Sequence, residues 1–149
     1  MNRISGARQR VRLLALVLFT LASSAIVGCG SDAPNQPSSI AGVYTATVFR
    51  VTPTGQPTID VVAQGGTLSI TIASDNTASG TLSLPASVAG TPFTASMTGT
   101  VVQTGTTVRF EQTADTFVRD LTFTVVGNTL QATNQVAGAG SFTITLTRQ

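Results

Sequence analysis

The chain has 149 residues, 42% of them hydrophobic and only 9% charged, with no histidine, no lysine and a single cysteine. An intramolecular disulfide is therefore excluded, and beyond that cysteine the usual general bases, Schiff-base lysines, thiol nucleophiles and histidine metal ligands are missing. The formal charge of +2 includes Arg3, Arg8, Arg10 and Arg12 near the start; after Cys29, four arginines stand against six carboxylates and leave −2, which argues against a nucleic-acid partner.

Those four arginines precede an apolar run from Leu13 to Val27, the layout of an export signal. The run is shorter than the roughly 18 to 20 apolar residues of a spanning helix, and Ser23, Ser24 and Gly28 interrupt its end. Ile26-Val27-Gly28-Cys29 resembles the bacterial lipobox. The resemblance implies that the Cys29 thiol accepts a diacylglyceryl group, that cleavage before it makes Cys29 the new N-terminus, and that the membrane is a partner through this anchor. Gly30, where enterobacterial sorting rules place Asp for inner-membrane retention, favours the outer membrane. The competing reading of a lone cysteine is a small buried hydrophobe. The stretch SDAPNQPSS, Ser31 to Ser39, has the composition of a solvated tether, and Ile40 to Gln149 is long enough for one domain.

In that domain apolar residues alternate with Thr and Ser, the period of half-buried strands. The expected strands are Gly42 to Val51, Thr67 to Ala73, Thr77 to Leu84, Pro92 to Gln103, Thr106 to Gln112, Thr116 to Val126, Thr129 to Thr133 and Ser141 to Arg148. Gly127-Asn128 and Thr104-Gly105 read as two-residue hairpin loops, and Ser74-Asp75-Asn76 as a three-residue loop with a left-handed Asn. These loops set Val125 opposite Leu130 and Val101 opposite Val108. A hairpin centred on Ala114-Asp115 sets Phe110 opposite Arg119, Val108 opposite Leu121 and Arg109 opposite Asp120.

The result is an all-β, eight-stranded antiparallel up-and-down barrel closed first strand to last, with a β-sandwich as the alternative. An outer-membrane barrel shows the same alternation, but most of these strands are short of the roughly nine to eleven residues a crossing needs, and no aromatic girdle is present.

Gly42-Val43-Tyr44 on the first strand and Arg148 at the end of the last resemble the lipocalin and wider calycin pattern, with Tyr in place of Trp. With the segment Ala114 to Asp120 and the Gly127-Asn128 loop, the domain resembles small lipocalin-like bacterial lipoproteins. That resemblance implies a calycin-type barrel with room for one small apolar molecule. Tyr44 and Arg148 are expected to form a structural cation-π contact at the narrow end.

Arg119 has the parity of the inner face, between Phe117 and Leu121, and needs a carboxylate, a carbonyl or a ligand as partner. In the ligand-binding reading Phe93, Phe110, Phe117 and Phe123 form the wall and Arg119 the polar handle. In the other reading the barrel is filled and the protein is a structural or partner-binding envelope lipoprotein. Thr52 to Gly66 is either a lid or a plain crossover whose Ile59 to Val62 extends the second strand, and Arg50 beside it is expected in solvent. No catalytic residue, cofactor or metal is expected: no two carboxylates converge on one inward face, and Asp75-Asn76 lacks the further ligands calcium needs. A monomer is expected.

Overall fold

The computed structural model describes residues 39–112, 114–138 and 140–149; the expected export signal, Cys29 and most of the expected tether lie outside the described residues. The strands are β1 (Gly42–Pro53), β2 (Ile59–Asp60), β3 (Thr67–Ile72), β4 (Thr77–Leu84), β5 (Phe93–Thr104), β6 (Thr107–Gln112), β7 (Thr122–Val126), β8 (Thr129–Ala137) and β9 (Gly140–Arg148). A one-turn helix, α1 (Ala86–Ala89), links β4 to β5, and a 3-10 turn at Phe117–Asp120 precedes β7.

Every neighbouring pair is antiparallel, and β1 also pairs with β9 from Tyr44 opposite Arg148 to Pro53 opposite Gly140. Eight strands thus close into an up-and-down barrel, with β2 a short flap on β1. Closure rules out the sandwich, because the first and last strands share one ladder instead of ending two sheets. The apolar set faces inward: Leu68, Val108, Leu121, Phe123, Leu130, Ile144 and Leu146 are fully buried. Thr and Ser dominate the outer positions of these strands, the reverse of a barrel whose apolar face meets lipid.

Two hairpin loops open on glycine with positive φ, Gly105 at 60° and Gly127 at 57°. A type II′ turn requires positive φ at its first central residue, so glycine takes that place in each. For Gly127-Asn128 this gives the expected pairing of Val125 with Leu130. In the other hairpin it makes the loop Gly105-Thr106 instead of Thr104-Gly105, and Val101 lies opposite Phe110, not Val108. The one-residue move shifts each partner by two, so the same face stays inward. Asn76 adopts the left-handed conformation expected of it, φ 65°, and Ala73 N–H bonds the Thr77 carbonyl across its loop.

Two irregularities reverse side-chain parity. In β1 the register slips between Ala46 and Val48, so Tyr44 points inward before the bulge while Phe49 and Val51 do so after it. Arg50, which shared Tyr44's parity by simple alternation, is turned outward, and Phe49 becomes a core residue. In β8 the slip lies between Ala132 and Gln135, with Asn134 at φ 50° in the bulge, so that Gln135 and Ala137 resume the inward set.

The inward Gln135 replaces backbone pairing where β7 begins. Its Oε1 accepts from Thr122 N–H at 2.7 Å, and its Nε2 donates to the Thr122 carbonyl.

The expected sixth strand, Thr116 to Val126, is corrected: the 3-10 turn replaces its first half, and β7 starts at Thr122. Val108 therefore faces Phe123, not Leu121; Arg109 faces Thr122, not Asp120; and Arg119 has no cross-strand partner at Phe110. The turn drives Val118 and Leu121 fully into the core, which a continued strand from Thr116 would not do for both. The crossover is also corrected. Ile59-Asp60 pairs back on Arg50 and Val51 of β1 rather than extending β3.

The middle of the barrel is solid. Met97 places its terminal methyl 3.1 Å from where a Gly80 Cβ would stand, and Phe110 meets Phe123 edge to face at 5.4 Å. A crevice of about 10 Å³ beside Ile70, Gly80 and Met97 sits at the lower limit for one water. Small inward residues such as Ala78, Gly80 and Ala132 thus let a squat barrel close.

Candidate functional site

The barrel has two unlike ends. At one, the hairpin loops Ser74 to Asn76, Gly105-Thr106 and Gly127-Asn128 surround the entry and exit of the chain. Here Ile40 tucks into the core as a plug, 3% exposed, and Tyr44 O–H donates to its carbonyl at 2.8 Å. Arg148 donates from Nε and Nη2 to the Tyr44 hydroxyl at 3.1 and 2.8 Å, and from Nη2 to the Ser39 carbonyl at 2.7 Å.

The Arg148 guanidinium carbon is 5.4 Å from the Tyr44 ring centroid, so a cation-π geometry exists beside these bonds. The hydroxyl contacts are the shorter and more directional part, which a Trp at this position could not supply. Gly42, at φ 156°, lets Arg148 lie across it: an added Cβ would stand 3.0 Å from the arginine Nε.

The opposite end is a mouth. Phe49, Val51 and Pro53 of β1, Val61, Leu84, Val88 of α1, Phe117 and Phe142 line a pocket of about 180 Å³ there. Each wall has a local cause. The β1 bulge turns Phe49 and Val51 inward, the 3-10 turn presents Phe117, and β9 sets Phe142 directly beside Val51. Phe117 stacks on Phe142 at 4.3 Å and 12°, and tilts against Phe49 at 5.7 Å.

Val61, 1% exposed, is held in the mouth by its N–H on the Phe49 carbonyl and by Gly66 N–H on its own carbonyl, both 2.8 Å. Gly66 is required by this approach, since a Cβ would meet Val61 Cγ1 at 2.3 Å. The Thr52 to Gly66 segment therefore covers part of the opening, and Asp60, joined to Arg50 at 3.5 Å, closes its flap.

Every lining side chain is apolar, so the pocket offers van der Waals contact and no side-chain hydrogen bond or charge. Its volume is near that of cavities of ~150 Å³ that admit a benzene-sized molecule. Chemically the mouth can shelter a ring or a short alkyl end.

Of the wall expected from sequence, only Phe117 lies there. Phe110 and Phe123 are buried in the filled middle, and Phe93 stands 43% exposed at the start of β5, opposite Leu84. Arg119 is corrected from inner face to outer surface. It pairs with Asp115 at 2.5 Å and Asp120 at 3.6 Å, its side chain 43% exposed. With Arg109, Glu111 and Asp120 it borders an open groove on the outer wall, outside the mouth pocket. A guanidinium between two carboxylates in solvent avoids the desolvation that the inner position would impose.

Sequence reasoning missed Phe49, Val51, Pro53, Val61 and Val88. The bulge hid the first two, and the others sit in segments expected as connections, where alternation carries no information; Gly65-Gly66 was the one local sign of a tight approach at Val61.

Asp75 is committed to its turn. It accepts from the Thr77 hydroxyl at 2.7 Å and from Thr77 N–H at 2.9 Å, and these bonds hold its carboxyl below the usual carboxylate range. Comparison of the chain with protein-family models, curated proteins and solved structures returns no significant match.

Proposed function

We propose that this is an exported, lipid-anchored envelope protein whose barrel holds a small apolar molecule, or the apolar end of an amphipathic one, in its mouth. The observation that carries the binding half is the pocket of about 180 Å³ between Phe49, Phe117 and Phe142, lined by apolar side chains. This space stays open to solvent at one end of the barrel, whereas beside Ile70, Gly80 and Met97 the packing leaves only about 10 Å³.

The anchor half rests on Ile26 to Cys29 and on the lipocalin-like lipoprotein resemblance, with Gly30 supporting the outer membrane as its site. The domain is read as monomeric, and as non-enzymatic because Asp75 serves a turn, Asp60, Asp115 and Asp120 pair with surface arginines, and the mouth is lined by no polar side chain.

The filled middle supports a second reading, in which the barrel is a structural or partner-binding module and the mouth is only imperfect packing.

The two halves are tested separately. Cells fed radiolabelled palmitate should label the wild-type protein and not Cys29→Ser; equal labelling of neither or both contradicts the anchor. The unlipidated Cys29→Ser protein, titrated with neutral N-phenyl-1-naphthylamine, should give saturable fluorescence that Val88→Trp, which fills the mouth, removes. Linear, unsaturable fluorescence would favour the second reading.

A further inference from the structure

We infer that the anchored barrel stands with its closed end toward the membrane that carries the anchor and its mouth away from it, so that the guest enters from the aqueous side. This rests on the anchor at Cys29 and on the mouth as guest site, both proposed above.

The polarity is built into the fold. The chain enters the barrel at the closed end, where Ile40 is buried, Tyr44 bonds the Ile40 carbonyl and Arg148 bonds the Ser39 carbonyl. These contacts fix the attachment point at Ser39 and leave no slack beyond it.

Distance then separates the two orientations. From Cys29 to Ser39 is ten residues, at most about 33–36 Å of contour. The twelve residues of β1 run about 36 Å, which at the 35–45° tilt of small barrels gives an end-to-end height of about 28 Å. Seating the mouth on the anchor's own membrane would consume nearly all of that contour, alongside the barrel wall. The closed-end-down orientation consumes almost none of it.

Charge does not compensate. The segments 84–93 and 136–142 at the mouth carry no charged residue, and the arginines near that end are already paired, Arg50 with Asp60 and Arg119 with Asp115 and Asp120. Attraction to anionic lipid needs free basic groups, which this end does not present. The apolar groups exposed there are Phe93, Val62 and Val136, and the first two, next to Leu84 and Val61 of the pocket, are then a landing rim for a guest arriving from water.

The experiment places one reactive thiol at each end of the full-length lipidated protein, whose own cysteine is blocked by its lipid. Ser87→Cys marks α1 at the mouth and Thr106→Cys the closed end; both positions are exposed. Each is labelled with bimane and inserted into phosphatidylcholine–phosphatidylglycerol vesicles carrying headgroup nitroxide lipid. The expected result is loss of fluorescence at position 106 and its retention at 87. Quenching at 87 equal to or stronger than at 106 overturns the orientation.

Detergent phase partition of the same preparations keeps the two readings apart. A protein that partitions into detergent yet is quenched at 87 has the anchor and the opposite orientation. One that stays in the aqueous phase overturns the anchor and the orientation with it. Saturable N-phenyl-1-naphthylamine fluorescence, read on the same samples, reports the mouth independently of either.

Discussion

Phe117 and Phe142 lie face to face at the mouth, centroids 4.3 Å apart and planes within 12°, one from a 3-10 turn and the other from β9. Strands β7 and β8 separate these two elements along the sheet, so the stack spans the opening and does not follow one wall. Phe49 tilts against the same Phe117 ring from β1, and the three rings set the pocket's shape.

Because Phe49 is 1% exposed and Phe117 only half-buried, the two should separate stability from binding. Phe49→Ala is expected to cost about 3–5 kcal/mol, the range for a fully buried ring. Phe117→Ala should cost less than that range yet reduce apolar probe affinity more than it reduces stability. Urea unfolding and probe titration of both variants check this.

The closed end depends on the Tyr44 hydroxyl, which donates to Ile40 and accepts twice from Arg148. Tyr44→Phe removes all three bonds without changing the ring and should destabilise by about 1–3 kcal/mol. Arg148→Lys should not restore wild-type stability, since an ammonium cannot reach the hydroxyl and the Ser39 carbonyl with the same planar fork. Chemical denaturation of the two variants gives the comparison, and neither should alter probe binding at the far end.

Gly66→Ala should disturb the mouth from outside the pocket. The new Cβ would meet Val61 Cγ1 at 2.3 Å and the Val61 carbonyl at 3.0 Å, so the branched side chain that caps the opening must move. A loss of about 1–3 kcal/mol is expected, as for other overpacked sites. Shifted Val61 methyl resonances in a methyl-labelled NMR spectrum would accompany it.

Asp75 supplies a pH prediction. Its carboxylate is held by the Thr77 hydroxyl and N–H, so its pKa in the folded chain lies below the unfolded value of ~3.9. The charged form therefore favours folding; its contribution is complete above the unfolded pKa and is lost as pH falls through the lowered folded value. Side-chain carbon NMR should place the Asp75 midpoint below that of an ordinary aspartate. Thr77→Val should bring it back up.

The barrel was legible because Thr/Ser alternation and loop glycines determine strand number and inward face, as at Val125 and Leu130. The candidate site was not, and the reason is local. A single extra residue near Thr47 exchanges the faces of Phe49 and Arg50, and no composition rule marks where a bulge falls. Arg119 was misplaced by the same limitation in another form: extending the alternation through Thr116 to Asp120 treats a 3-10 turn as a strand. Ile40 and Val61, buried outside any long strand, depend on tertiary packing that periodicity does not report.

The central claim is that the apolar mouth, and no other part of the barrel, receives a guest. Backbone and methyl NMR of the Cys29→Ser protein titrated with N-phenyl-1-naphthylamine tests it directly. Saturable shifts confined to Phe49, Val61, Val88, Phe117, Phe142 and their neighbours are expected. Shifts that do not saturate, or that centre on Arg109 and Arg119 in the outer groove, would contradict it.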